Sequence, residues 1–155
     1  MILTDRRRGL MAKERNENLI RLRPETFVDK SYTTTVDSTG LASLTITSTN
    51  TMEVSKVFFT KSMELKAGDT IELFFRGKSG TSTVVPGYCD CVLRGTTIIS
   101  NSMLRYNTKY LYTLSKDLTA EALFFWRRAG SMSTVPYSTE YYVEIYVNGN
   151  QKVGR

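Results

Sequence analysis

From Phe27 onward the chain is a succession of short segments rich in Thr, Ser, Val and aromatic residues, each closed by a Gly, Asn or Asp cluster. That texture constrains the fold more than any other feature. Apolar and polar residues alternate with period two, the period of a half-buried strand, and branched and aromatic side chains suit a pleated surface. Phe27 to Val36 reads as a first strand, closed by Asp37-Ser38-Thr39-Gly40. Leu41 to Thr47 follows, with Leu44 and Ile46 on one face. Met52 to Thr60 is expected with Val54 and Phe58 inward. After a turn at Lys66-Ala67-Gly68-Asp69 come Thr70 to Arg76, Val84 to Leu93 (interrupted by Pro86-Gly87), Thr96 to Ile99 and Tyr110 to Leu114. Ala120-Glu121-Ala122-Leu123 has some helical propensity, but Leu123-Phe124-Phe125-Trp126 favours a strand. A turn over Asp117–Thr119 followed by a strand is therefore expected. The closing strand is Glu140 to Val147, ended by Asn148-Gly149-Asn150. About nine strands without a long helix predict an all-β, antiparallel, jelly-roll-like β-sandwich over residues 26–150. Residues 151–155 are read as a C-terminal tail.

The segment before Pro24 differs. Residues 1–25 carry seven basic and four acidic side chains, half of the chain's net charge of +6. Their apolar residues are few and clustered. Such a segment buries too little surface to fold alone and is expected to order by docking on a partner. The residues expected to dock are Arg6, Arg7, Arg8, Leu10, Leu19, Ile20, Arg21, Leu22 and Arg23. Nothing near the N-terminus has the charged-then-apolar pattern of a secretory signal, so synthesis in the host cytoplasm is expected. No apolar run is long enough to span a bilayer, and no membrane partner is expected.

The residues that carry chemistry are few. The chain has no His, which removes the usual general base, the Ser-His and Cys-His pairs and the commonest metal ligand. Asp69 and Glu72 are near neighbours, read as a turn residue and a solvated strand residue. Cys89 and Cys91 fall on one strand face and read as small core residues, since two thiols alone do not make a zinc site. No catalytic residue, metal or cofactor is expected, and the chain reads as a non-enzymatic protein. Nine Tyr and one Trp suggest a surface for stacking. Trp126 and Tyr137 flank the Ala129–Pro136 loop and are candidates for a ligand rim that could take a surface glycan.

Leu65-Lys66-Ala67-Gly68-Asp69-Thr70-Ile71-Glu72-Leu73 resembles the turn-and-strand of trimeric jelly rolls, and Tyr142 to Gly149 resembles their closing strand. Those families include complement-C1q-like and tumour-necrosis-factor-like domains and the fibre and decoration proteins of bacteriophages. The resemblance implies a structural protein of the virion: a capsid decoration, head-fibre or tail-fibre component. It would be anchored to a capsid or tail protein by the N-terminal arm and form a homo-oligomer, most simply a trimer. Phe124, Trp126, Tyr141 and Tyr146 are the candidates for subunit contacts. A carbohydrate- or receptor-binding module is the alternative. A capsid protein touching nucleic acid through Arg6-Arg7-Arg8 is the third reading.

Overall fold

The computed structural model describes residues 19–47, 54–77, 83–85, 87–129 and 136–155, with the side chains of 127–129 left aside. Among these residues eleven strands run in chain order: β1 Glu25–Asp29, β2 Tyr32–Val36, β3 Ala42–Ile46, β4 Val54–Leu65, β5 Thr70–Gly77, β6 Tyr88–Leu93, β7 Thr96–Ser102, β8 Lys109–Thr113, β9 Leu118–Ala129, β10 Tyr137–Val147 and β11 Asn150–Val153. All named pairings are antiparallel. One sheet has the order β1-β2-β3-β10-β5-β8, with β11 beside β10, and the other the order β4-β9-β6-β7. Six of the seven links from β3 to β10 cross between the sheets; only β6–β7 is a hairpin. The result is two packed four-stranded layers, β3-β10-β5-β8 and β4-β9-β6-β7, with jelly-roll connectivity. The β1–β2 hairpin and β11 extend the first layer.

Inward-facing residues of both layers form one core. At its centre Phe75 of β5, Phe125 of β9 and Tyr141 of β10 pack edge to face at 5.3–5.7 Å between centroids. These aromatic contacts join the two sheets directly. Tyr141, expected at a subunit contact, is fully buried here. Burial pushes its phenol well above the ordinary range.

Several expectations need correction. Phe27–Val36 is two strands: β1 and β2 turn at Lys30-Ser31, with Lys30 at φ 53°. No Gly or Pro punctuates that turn, so the alternation reads straight through it. In β4 the phase is reversed. Ser55, Val57 and Phe59 are buried, while Val54, Lys56 and Phe58 face outward half-exposed. Both phases of this strand carry apolar residues, so its alternation leaves the inward face open, and packing puts the phase containing Lys56 outward.

The expected C-terminal tail is structural. Asn148-Gly149 sits at φ 51° and 84°, both positive, as a two-residue hairpin turn requires. It returns the chain into β11, and Val153 is fully buried.

The arm boundary also moves. Ile20 and Leu22, expected to dock on a partner, are 7% and 4% exposed within this domain's own core. Ile20 N–H donates to Lys152 O at 2.8 Å, and Gly154 N–H donates to Ile20 O at 3.0 Å. Two residues on, Thr60 N–H donates to Arg21 O and Arg23 N–H to Phe58 O, both at 2.8 Å. Residues 20–23 thus stitch β11 of one sheet to β4 of the other. Alternating Ile20 and Leu22 point inward, and Arg21 and Arg23 point out, as period two demands. Residues 1–18, including Arg6, Arg7, Arg8 and Leu10, lie outside the described residues.

Candidate functional site: an aromatic and cationic groove on the four-stranded sheet

The outer face of β4 and β9 is built by cross-strand pairs. Val54 lies opposite Trp126, Lys56 opposite Phe124 and Phe58 opposite Ala122. Phe27 of β1 leans over from the neighbouring sheet and meets Phe58 edge to face at 6.1 Å. Lys56 Nζ lies 4.4 Å from the Phe58 centroid, 4.5 Å from Phe124 and 5.9 Å from Phe27. Arg23 also stands over Phe58, 4.8 Å from its centroid, and pairs with Glu25 at 2.6 Å. Rings attract cations through their negative faces, so Lys56 is held among them.

Beyond Phe58 the sheet opens. Phe58 pairs with Ala122 and Met63 with Ala120, so residues 59–62 of β4 stand against Glu121 alone. This bulge peels β4 off β9, and Leu22 bridges to Phe59 on the peeled strand. The concavity left behind, of about 160 Å³, is lined by Lys56, Phe58, Arg94, Glu121, Ala122 and Phe124. A second concavity of about 450 Å³ adjoins it, sharing Arg94 and Glu121 and adding Lys116, Asp117, Leu118 and Thr119.

Arg94 reaches this place because of its turn. Leu93 pairs with Thr96, leaving Arg94-Gly95 as a two-residue loop with φ of 45° and 76°. Two successive positive φ angles define the tight turn whose twist matches a hairpin. The backbone beneath Arg94 therefore takes the form of that turn. Asp117 is engaged locally, its Oδ1 accepting Ala67 N–H at 2.8 Å. Among the described residues, neither Arg94 nor Glu121 makes an ion pair or side-chain hydrogen bond within the chain.

The two residues expected as a ligand rim separate. Trp126 is 40% exposed on the outer face of β9. Tyr137 shares the inward phase of β10, and its hydroxyl donates to Thr83 O at 3.2 Å. Burial pushes that phenol up. The two lie on different sheets and do not share a face. Phe124 lies half-exposed beside Trp126 on the same side. Tyr146 is on the outer face of the larger sheet. Leu19 is half-buried, and Arg21 and Arg23 are exposed.

Cys89 and Cys91 are free thiols, both fully buried, and burial raises the Cys91 thiol well above its ordinary value. Asp90 between them is also buried, and its Oδ1 accepts Asn101 N–H at 2.7 Å. The β6–β7 register shifts at this point, which accommodates three successive buried residues. Among the described residues no cluster of three or more His, Cys, Asp or Glu side chains could hold a metal.

Sequence reading missed Lys56, Phe58, Arg94 and Glu121. Lys56 and Phe58 were hidden by the phase of β4, and Glu121 by the bulge. Arg94-Gly95 between two apolar runs carried a turn signal.

Compared with protein-family models, with curated proteins and with solved structures, the chain matches none.

Proposed function

We propose that this chain is a non-enzymatic structural protein of a viral particle of the bacteriophage type. It is a decoration or fibre component that displays a jelly roll and attaches through residues preceding the sandwich. The observation that supports this most is the strand order, with β3-β10-β5-β8 packed on β4-β9-β6-β7. Jelly rolls are the architecture of many capsid and lectin domains, and the argument from fold to role is one of analogy. The resemblance of Leu65–Leu73 to trimeric members agrees with it, and a homotrimer is part of the reading.

The anchor is narrower than the sequence implied. Residues 20–23 complete the sandwich, so attachment falls to residues 1–18, which carry Arg6, Arg7, Arg8 and Leu10. Deleting residues 1–18 should leave a folded, oligomeric sandwich that no longer co-purifies with assembled particles. Incorporation of the truncated protein at wild-type occupancy would overturn the anchoring role. A monomer by sedimentation at micromolar concentration would overturn the trimer.

A second reading, a carbohydrate- or receptor-binding module, is favoured by the groove around Arg94 and Glu121. It is compatible with display on a particle, because a displayed domain can also be the one that binds.

A further inference from the structure

We propose that the groove running from Lys56 and Phe124 to Lys116 binds a carboxylated saccharide, of the uronic- or sialic-acid type, with Lys56 and Arg94 holding its carboxylate. The proposal deepens the second reading above and does not depend on attachment to a particle.

Four observations converge on it. The first is shape. Two adjoining concavities share Arg94 and Glu121 and have volumes of about 160 and 450 Å³. Small-ligand sites run to ~300–1,000 Å³, so the pair suits two or three linked units better than one deep-set molecule. The second is an apolar wall. Phe58 and Phe124 line the smaller concavity, and Trp126 continues the same face two residues along β9. Ring surfaces of this kind accept the C–H face of a sugar, which needs contact area without hydrogen bonds.

The third is charge. Lys56, Arg94 and Lys116 line the groove against Glu121 and Asp117, an excess of one positive charge, and Asp117 Oδ1 accepts Ala67 N–H. Lys56 meets rings but no carboxylate, and Arg94 meets none either among the described residues. An arginine fork matches a carboxylate in two parallel hydrogen bonds. The fourth is Glu121, a lone acceptor at the junction of the two concavities. It can take hydroxyl protons from a sugar, but it repels a dense polyanion such as a nucleic acid or polyphosphate. One carboxylate per unit together with free hydroxyls satisfies both signs of charge.

Preorganisation supports the assignment. Arg94 stands on a turn fixed by two positive φ angles, and Glu121 on the strand residue that β4 leaves uncovered. The backbone at both positions is set before binding, and the two side chains are what remains to order.

Calorimetric titration of the full-length protein tests this with a galacturonate trisaccharide and sialyllactose, against galactotriose and lactose as neutral counterparts and hexaglutamate as an acidic peptide. At least one acidic glycan should bind saturably below ~10 mM. It should bind about tenfold more tightly than its neutral counterpart, as charge-assisted hydrogen bonds differ from neutral ones. Arg94→Asn keeps a residue tolerant of positive φ, and Lys56→Gln removes the charge while keeping a polar end on a shorter stem. Each should weaken the acidic glycan about tenfold and leave the neutral one unchanged, while Arg76→Gln on the opposite sheet should change neither. Raising salt should weaken binding. The proposal is overturned if neither acidic glycan binds, if neutral glycans bind equally well, if hexaglutamate binds more tightly, or if both groove variants bind as wild type. Particle co-purification of Arg94→Asn separates the two ideas. Loss of glycan binding with normal incorporation is the expected pair of results.

Discussion

The two outer faces of the sandwich differ in how they treat charge. On the larger sheet Arg76 and Glu144, and Lys109 and Glu72, are matched within the chain. Arg76 grips Glu144 through two hydrogen bonds, Nε to Oε2 at 2.6 Å and Nη2 to Oε1 at 3.3 Å. Tyr146 donates its hydroxyl to the same carboxylate at 2.7 Å, Lys109 lies 3.9 Å from Glu72, and Arg155 covers the Tyr142 ring at 3.8 Å. On the smaller sheet Lys56 meets only rings, and Arg94 and Glu121 meet no charged partner among the described residues. The lesson is that a face can be amphipathic in two ways. Where opposite charges fall cross-strand, as Arg76 opposite Tyr142 and Glu144 opposite Phe74 bring the Arg76–Glu144 diagonal together, the sheet satisfies itself. Where a bulge and a turn bring isolated charges beside aromatic rings, hydrogen-bonding capacity is left for something else.

The strongest way to break the comparison is to remove what holds both faces. Phe75→Ala takes out the ring that contacts Phe125 across the two sheets and should cost about 3–5 kcal/mol, read as a fall in denaturant midpoint. Next comes the clasp. Leu22→Ala removes a buried side chain from the segment whose backbone bridges to Phe59 and should cost about 2–5 kcal/mol. If Leu22 belonged to a detachable arm, this substitution would leave stability unchanged, so chemical denaturation decides the boundary directly.

Smaller effects sharpen the contrast between the faces. Arg76→Gln should cost about 1–2 kcal/mol, since Arg76 is half-exposed but its bidentate partner Glu144 is only 12% exposed. Arg94→Asn should stay within about 0.5 kcal/mol of wild type, because it breaks no charge pair, while Lys56→Gln should lose only its ring contacts, about 0.5–1 kcal/mol. Equal losses on both sheets would show that the groove charges are structural.

The smallest expected effect is on pH dependence. Burial alone would raise the Glu144 carboxyl, but the hydrogen bonds from Arg76 and Tyr146 and the charge of Arg76 outweigh it and hold it below the ordinary value. A depressed carboxyl stabilises the fold above its unfolded value, ~4.3, and that contribution fades as pH falls through the folded value. Glu144→Gln should therefore flatten the acid limb of stability against pH. The Tyr146 phenol is pushed up to about 12, by burial and then by its bond to Glu144. Its contribution is present below ~10 and fades as pH rises toward the folded value, so Tyr146→Phe should flatten the alkaline limb.

The comparison also explains how much could be read in advance. Strands were legible wherever one phase was apolar and the other polar, as in Leu44 and Ile46 of β3 or Val143 and Ile145 of β10. The groove was not, because its pieces are distant in sequence and its key residues sit where alternation breaks. Phe58 and Phe59 are adjacent and equally apolar, and only packing assigns them to opposite faces. Glu121 is one residue facing a four-residue bulge on another strand. Asn148-Gly149 carried the plainest hairpin signal in the chain, and reading it as a terminus rather than a turn hid β11.

What the sequence by itself determined is local: period-two patterning from Phe27 onward, the turns at Asp37–Gly40 and Lys66–Asp69, and therefore an antiparallel β-sandwich. Those features depend on backbone sterics and on side chains one or two positions apart. What only the tertiary structure decided is nonlocal. It placed Ile20 and Leu22 between β11 and β4, chose the outward phase of β4, and set Arg94 and Glu121 at the junction of one groove. A strand carries its own alternation, but the neighbour it pairs with and the layer it packs against determine which half of that alternation meets solvent.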